Sequence, residues 1–319
     1  MSPVTRVLID VDTGIDDALA IYYLAAGPAT EARPEIVAAG SVHGNVPAPL
    51  AAENTLRVLE RVGLDGVPVA LGAARPLAQP LHTSEHVHGQ DGLGNTRQPQ
   101  PRGWLAEGSA AEQMVRLARA YPGQLTVLAL GPLTNVALAL LLEPELPKLL
   151  REVVVMGGAA TVPGNVTSSA EANIWHDPEA AELVLDAGLQ LTLVGLDVTM
   201  TALARSDWLD RLAAIEHEVA RDASAILGFY ADFYERLLGS RACALHDPLA
   251  AAIMLDPTLA TYQEAPVRVE LRGDHTRGAT LAGLGPVDPG GPDPRPAVKV
   301  AVAADIPAFL DRMMAALAG

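Results

Sequence analysis

The stretch RVLIDVDTGIDDALAIYYL, from Arg6 to Leu24, carries the pattern that decides the fold. Its first part, VLIDV, is an almost continuous apolar run, which is typical of a strand buried on both faces of a parallel sheet. A short turn separates this run from ALAIYYL, whose composition suits a helix that covers the sheet. The stretch therefore predicts a first strand and a first helix with four aspartates crowded around the turn, namely Asp10, Asp12, Asp16 and Asp17.

The same alternation continues along the chain. Apolar runs at 7–11, 36–42, 124–130, 153–156 and 191–198 precede helical patterns at 16–26, 49–62, 133–142, from 178 and from 206. This alternation predicts an α/β fold, with an open, mostly parallel, Rossmann-like sheet and helices on both faces. Three shorter strand-like runs after residue 264, around a Pro/Gly-rich loop at 285–296, predict a small antiparallel C-terminal addition. We expect one α/β domain over residues 1–319.

Composition and charge exclude several classes of partner. The net charge is −16 and only two lysines are present, Lys148 and Lys299, so we expect no nucleic-acid partner, which would need clustered cations. No apolar run approaches the length of about 18 residues that a membrane span requires, so we expect no membrane partner. The single cysteine, Cys243, and the lack of a signal-peptide pattern favour a cytoplasmic protein.

Polar residues follow several of the predicted strands. The aspartate cluster follows the first strand, Asn45 follows the second, and Leu130 ends the strand TVLAL. Because ligands of open α/β sheets bind at the carboxyl ends of the strands, we expect these residues to line one crevice. Helix capping accounts for one or two aspartates, but four like charges repel one another unless a cation binds. Oxygen ligands favour Ca²⁺ or Mg²⁺, and no Cys/His cluster has zinc spacing.

One different-class alternative rests on the same residues. DVDTG is similar to the Asp-x-Asp motif of haloacid-dehalogenase-type phosphatases, in which Asp10 would be the nucleophile and Asp12 the acid–base. That family has Gly then Thr after the second aspartate, whereas the order here is Thr13–Gly14. It also needs a lysine near the phosphate, and neither lysine of this chain lies in an evident phosphate-binding turn.

DVDTGIDDALAI resembles the N-terminal signature of the inosine–uridine-preferring nucleoside hydrolase family, Asp-x-Asp-x-Gly-x-Asp-Asp-Ala. SVHGNV, HGQDGLGN, LALGPLTNVALAL, VVVMGGA, GNVTSSAEANIWHDPEAA and LHDPLAA are similar to later motifs of the family, in the expected order, between Asp10 and Ala251. Members hydrolyse the N-glycosidic bond of ribonucleosides to free base and ribose. They hold one Ca²⁺ and are usually dimers or tetramers. The resemblance therefore implies a Ca²⁺-dependent hydrolase of small-molecule nucleosides that forms a homo-oligomer.

The resemblance also implies a role for individual residues. The Ca²⁺ ligands would be Asp12, Asp17, Asp247 and the backbone carbonyl of Leu130. Asp12 would be the general base for a Ca²⁺-bound water, and His246 would protonate the departing base. Tyr230 would join a proton relay to that histidine, as a tyrosine of this region does in pyrimidine-preferring members. The substrate-binding residues would be Asp16, Asn45, His88, Met156, Asn165, Glu171, Asn173 and Tyr230.

The chain departs from the family at two positions. Leu130 replaces a threonine, but only its carbonyl is needed, and Ala172 replaces a common aromatic residue beside the 5′ side of the sugar. Asp177 is predicted to cap the helix that starts at Pro178, and His82 and His86 to face solvent. A same-fold alternative is a hydrolase of another riboside, or a binding relative without activity. The base preference stays open.

Overall fold

A computed structural model describes residues 5–27, 33–284 and 295–319. Ten strands form one sheet in the order β11-β10-β12-β7-β6-β5-β1-β2-β3-β4, and β8 and β9 form a separate antiparallel pair. The strands are β1 Arg6–Val11, β2 Glu35–Ser41, β3 Val69–Leu71, β4 Leu105–Ser109, β5 Leu125–Ala129, β6 Leu150–Met156, β7 Leu191–Val194, β8 Leu203–Arg205, β9 Ala242–Ala244, β10 Ala260–Val269, β11 Thr280–Ala282 and β12 Ala297–Ala304.

Helices follow most of the strands. They are α1 Ile15–Ala26, α2 Ala48–Arg61, α3 Glu85–His88, α4 Ala110–Ala120, α5 Thr134–Leu142, α6 Leu146–Leu149, α7 Ala172–His176, α8 Pro178–Leu185, α9 Leu196–Thr199, α10 Ser206–Ala213, α11 Glu218–Leu238, α12 His246–Leu255 and α13 Ile306–Ala318. A 3₁₀ turn at Pro257–Leu259 leads into β10. Each helix predicted between residues 16 and 213 begins within one residue of its expected position.

The central strand β1 divides the core into two apolar clusters. Val7 and Ile9 pack into one cluster with residues of α1, α11, α12 and α13, whereas Leu8 packs into the other with α4, α5 and α8. Alternate side chains of a strand point to opposite faces, so helices cover both faces of the sheet. β1 pairs in parallel with β2 and β5. The predicted fold class is confirmed.

The C-terminal addition belongs to the main sheet. β12 runs parallel to β7 and antiparallel to β10, and β11 pairs antiparallel with β10. Residues 285–294 of the predicted Pro/Gly-rich loop lie outside the described residues. The strand predicted at 191–198 was too long, because it ends at Val194 and a short helix begins beyond Gly195. No helix within the described ranges is long and apolar enough to cross a membrane.

Candidate active site

Asn45 ties the carboxyl ends of β1 and β2 together. Its backbone N–H donates to Asp12 Oδ2 at 2.6 Å, and its Nδ2 donates to Asp12 Oδ1 at 3.2 Å and to Asp17 Oδ2 at 3.1 Å. Asp17 also accepts the Gly14 N–H at 2.9 Å, which closes the first turn of α1. These bonds hold two of the four aspartates at the carboxyl ends of the strands, where ligands of open α/β sheets bind.

Gly14 is needed at this turn because of its neighbours rather than its dihedral angles. Its φ is −97°, which any residue can adopt. A Cβ at this position, however, would lie 2.5 Å from His88 Nδ1 and 2.8 Å from Asn45 Nδ2. The glycine therefore lets the β1–α1 turn approach two other side chains of the site.

Three carboxylates form a close group: one ligand oxygen from each of Asp16, Asp17 and Asp247 lies within 4.8 Å of the others. Burial, followed by the charge of Asp17, raises the pKa of Asp16 to about 8, and burial raises that of Asp17 to about 6. Burial and neighbouring carboxylates also raise the pKa values of Asp12 and Asp247 well above the usual range. The folded chain thus concentrates negative charge that water does not screen.

The carboxylate cluster fits a hard cation. Asp16 Oδ1 and Asp17 Oδ1 are buried and accept no hydrogen bond from any described residue. Among the described residues, no lysine or arginine lines the adjoining cavity. An all-oxygen set of this kind suits Ca²⁺ or Mg²⁺, and unpaired buried carboxylates are stabilised by such an ion. The close group contains Asp16 where the sequence predicted Asp12, whose two oxygens both accept bonds from Asn45.

Asp10 supports the cluster from within β1. Asn135 Nδ2 donates to Asp10 Oδ1 at 2.8 Å and to the Ser41 carbonyl at 2.8 Å, so one amide links β1, β2 and α5. Burial raises the pKa of Asp10 to about 7. Asp10 is absent from the close carboxylate group. This position agrees with a supporting residue and not with a phosphatase nucleophile at the cavity.

A cavity of about 330 Å³ opens beside the carboxylates. Every site residue predicted from the sequence lines it except Asp12 and Asp17, which accept hydrogen bonds from the lining residue Asn45. The predicted residues that line it are Asp16, Asn45, His88, Leu130, Met156, Asn165, Glu171, Asn173, Tyr230, His246 and Asp247. One cavity therefore brings together residues from both halves of the chain.

Glu171 and Asn173 lie at the start of α7 and not on an extended segment. Glu171 caps the helix, with Oε1 accepting the Asn173 N–H and Oε2 accepting those of Gly158 and Ile174. Asn173 Nδ2 donates to the carbonyl of Leu130 at 2.6 Å and to that of Met156 at 3.1 Å. The amide thus holds the ends of β5 and β6 beside the carboxylates.

The histidine of α12 has both ring nitrogens engaged. The Tyr234 hydroxyl lies 2.8 Å from His246 Nε2, and the Thr199 hydroxyl lies 2.8 Å from Nδ1. Burial lowers the pKa of His246 to about 4, which keeps the ring neutral. Tyr234, and not Tyr230, makes the direct contact with His246, whereas Tyr230 donates to Asp16 Oδ2 at 3.5 Å. Both tyrosines line the cavity and lie one helical turn apart on α11.

His88 joins the β1–α1 turn to the aromatic residues of α11. Its Nδ1 accepts the Ile15 N–H at 3.1 Å, which leaves its proton on Nε2, and burial lowers its pKa to about 3. Its ring centroid lies 5.5 Å from that of Tyr230. His82 and His86 are exposed, as predicted, yet both also line the cavity.

The Asp-Pro pairs of the two HDP motifs differ in their helical positions. Asp177 caps α8 through a bond from the Ala180 N–H, as the sequence predicted. α12 already begins at His246, so Asp247 lies inside its first turn and is free to join the carboxylate group.

Sequence reasoning gave no specific role to Trp175, His176 or Thr199. Trp175 and His176 belong to α7, and both line the cavity. Thr199 ends α9, and the short helix places its hydroxyl on His246. The available signal for Thr199 was its position shortly after a predicted strand end.

Comparisons with known proteins agree with this site. The family model for the inosine-uridine preferring nucleoside hydrolases matches residues 7–311. A probable uridine nucleosidase 2 of Arabidopsis thaliana is 38% identical over 318 residues, which cover 97% of each chain. The inosine-uridine preferring nucleoside hydrolase of Crithidia fasciculata is 36% identical over 279 residues, which cover 87% of each chain.

Solved structures show the same fold. A plant nucleoside hydrolase, the PpNRh1 enzyme, superposes with a TM-score of 0.94 at 33% identity, covering 99% of this chain and 100% of its own. A purine-preferring ribonucleoside hydrolase from Gardnerella vaginalis gives 0.91 at 31% identity, with coverage of 99% and 98%. Fold, carboxylate cluster and relatives together define a ribonucleoside hydrolase, which cleaves nucleosides to base and ribose. The chain belongs to the inosine-uridine preferring nucleoside hydrolase family.

Proposed function

We propose that this enzyme hydrolyses ribonucleosides with Ca²⁺ held by Asp12, Asp17, Asp247 and the Leu130 carbonyl. The observation that carries the proposal is the group of buried carboxylates with unpaired oxygens beside a cavity that no described lysine or arginine lines. A bound Ca²⁺ supplies positive charge that lowers the pKa of a coordinated water. Ca²⁺ accepts six to eight oxygens, so substrate hydroxyls complete this set without strain.

The chain's own carboxylates and amides would bind and orient the sugar. Asp12 is held by Asn45 at two oxygens and would accept the proton of the attacking water. Asp16, whose Oδ1 is unpaired, would accept a ribose hydroxyl, and Asn45 and Asn173 line the same side. Contacts that strengthen as the ring flattens toward an oxocarbenium-like state would raise the rate.

On the base side, the Tyr234 hydroxyl would deliver the proton to the departing base. Both nitrogens of His246 are engaged by hydroxyls, so the neutral ring would first bind a proton from solvent; the resulting imidazolium would then donate through Nε2 to the Tyr234 oxygen as Tyr234 gives its own proton to the base. Tyr230 and His88 would pack beside them, since their rings are in contact. The proposal also includes a cytoplasmic homo-oligomer, dimer or tetramer, built from a single domain over residues 1–319.

The decisive experiment is a nucleoside panel with and without Ca²⁺. We expect release of ribose from at least one common nucleoside, with uridine and inosine tested first because the similar relatives carry these names. Exhaustive chelation should abolish turnover and added Ca²⁺ should restore it. A full panel without turnover would contradict the proposal.

A second experiment separates the two possible ligand sets. Ca²⁺ affinity is measured by calorimetry on Asp12→Asn and Asp16→Asn, with the exposed Asp65→Asn as the matched control. The proposal predicts that Asp12→Asn lowers the Ca²⁺ affinity at least tenfold and that Asp16→Asn lowers it less. The reverse order would make Asp16 the ligand, as its place in the close group allows.

A further inference from the structure

A second aromatic group lines the cavity apart from the rings of α11. The Trp175 ring lies 5.0 Å from the His82 ring and 5.4 Å from the His176 ring, measured between centroids. Within the described ranges, no ring contact joins this group to Tyr230 or Phe233. We call Trp175 and His82 the Trp175 wall.

The wall is held in place through its backbone. Gln79 Nε2 donates to the carbonyls of Trp175 at 2.7 Å and of His176 at 3.0 Å. Arg277 Nε donates to Gln79 Oε1 at 3.0 Å, and Arg277 also binds both carboxylate oxygens of Glu179 at 2.7 Å. This brace joins the loop before α3, the start of α8 and the β10–β11 connection.

Gly278 closes the space behind the wall. Its φ is +82°, and a Cβ there would lie 3.0 Å from Trp175 Cα. Because Gly278 packs this closely against Trp175, the Trp175 backbone cannot move away from the cavity. A fixed aromatic surface of this kind binds a ligand at little cost in conformational entropy.

The positions of the carboxylates, Tyr234 and His246 indicate which part of a bound nucleoside would contact the Trp175 wall. The carboxylates would hold the ribose hydroxyls, and Tyr234 with His246 would hold the base. The side that remains is formed by α7 and by the segment of Asn165. Ala172, three residues before Trp175 on α7, adds only a methyl group there, and Asn165 Oδ1 already accepts the Ala172 N–H at 2.9 Å.

We propose that the Trp175 wall packs against the 5′ side of the sugar and admits ribonucleosides whose 5′ carbon carries an apolar substituent. The inference rests on the proposed function, since it uses the same placement of ribose and base. Aromatic surface favours an alkyl or thioether group, and the Asn165 amide oxygen is already bonded. The substrate class includes 5′-deoxy and 5′-alkylthio ribonucleosides.

Steady-state kinetics test the wall. Trp175→Ala is compared with Trp175→Phe and with the matched control Trp104→Ala, because Trp104 is 89% exposed and does not line the cavity. The substrates are uridine, inosine, 5′-deoxyuridine and 5′-methylthio-5′-deoxyuridine. We expect wild-type kcat/KM for the two 5′-modified substrates within about threefold of uridine.

The Trp175→Ala variant should raise KM for uridine and inosine by the same factor, about fivefold, which corresponds to about 1 kcal/mol at 25 °C. The increase should be larger for the methylthio substrate, and Trp175→Phe should recover most of it. A change of more than threefold in the uridine-to-inosine ratio would place the ring against the base and overturn the proposal. Unchanged KM values for every substrate would also overturn it.

Fluorescence supplies a readout that does not depend on turnover. The chain has three tryptophans, so Trp104→Phe and Trp208→Phe leave Trp175 as the single emitter. Ribose in the presence of Ca²⁺ should change its emission, and free uracil should not. The opposite result would overturn the proposal. A nucleoside panel without turnover would instead contradict the proposed function, which keeps the two failures distinct.

Discussion

The carboxylate cluster makes a prediction about stability in the absence of cation. The folded-state pKa is about 8 for Asp16 and about 6 for Asp17, both above the unfolded value of about 4. Between these values the folded chain holds more protons on these two carboxyls than the unfolded chain, so they lower the free energy of unfolding as pH rises from about 4 to about 8. The buried His88 and His246 act in the opposite direction, but only below their unfolded pKa of about 6.5. Wild type in chelator should therefore melt at a lower temperature at pH 8 than at pH 6.5.

Asp247→Asn should relieve this repulsion. An Asp247 oxygen lies within 4.8 Å of the ligand oxygens of Asp16 and Asp17. At that distance and an effective dielectric constant of 20, one ionised pair costs about 3 kcal/mol. At pH 8 in chelator we expect the variant to exceed wild type by up to that amount, or roughly 5 °C in melting temperature for a chain of this size.

Scanning calorimetry at pH 6.5 and pH 8, in chelator and in millimolar Ca²⁺, measures the effect. Added Ca²⁺ should stabilise wild type by mass action and leave Asp247→Asn almost unchanged. The exposed Asp65→Asn should follow wild type under all four conditions. A variant less stable than wild type at pH 8 in chelator, or wild-type stability that rises with pH, would refute the charge reasoning.

Four further changes test the catalytic groups and the turn beside them. Asp12→Ala should abolish turnover while circular dichroism shows an intact fold, and retained activity would remove Asp12 as the base. His246→Ala should slow the hydrolysis of nucleosides at least a hundredfold more than that of nitrophenyl ribosides, because the nitrophenyl leaving group needs no proton. Equal losses of rate for both kinds of substrate would argue against an acid role for His246. Tyr234→Phe should show the same selectivity, because its hydroxyl contacts His246 Nε2. Gly14→Ala should lower kcat/KM at least tenfold by displacing His88 and Asn45, and unchanged kinetics would show that the turn adapts.

The sequence predicted which residues gather at the ends of the strands better than it predicted which side chains of neighbouring helices contact each other. Asp16, Asn45 and Leu130 were found because parallel strands deliver their carboxyl ends to one edge of the sheet. Tyr230 and Tyr234 lie one turn apart on α11, so helical spacing leaves both on one face and does not assign the partner of each. The contact with His246 depends on where α12 begins and how α11 packs on it, which are tertiary facts.

Local sequence patterns also failed to predict short helices that depend on tertiary contacts. α7 has five residues, and its cap is a glutamate that the sequence suggested only as a sugar ligand. α9 was merged into the preceding strand because LTLVGLDV is largely apolar. Trp175 carried no spacing signal, since its place at the cavity depends on Gln79 and Arg277, which lie far from it in sequence.

The central position of β1 has a consequence for biosynthesis. β1 lies between β2 and β5, so one of its edges stays unpaired until residue 129 has emerged from the ribosome. The carboxylate group of Asp17 and Asp247 stays incomplete for longer, from the synthesis of residue 17 to that of residue 247. At about 5–20 residues per second, that interval is roughly 10–50 s. The nascent chain thus carries an open apolar strand and an incomplete charge cluster, so a cation held by Asp17 and Asp247 would bind only late in synthesis.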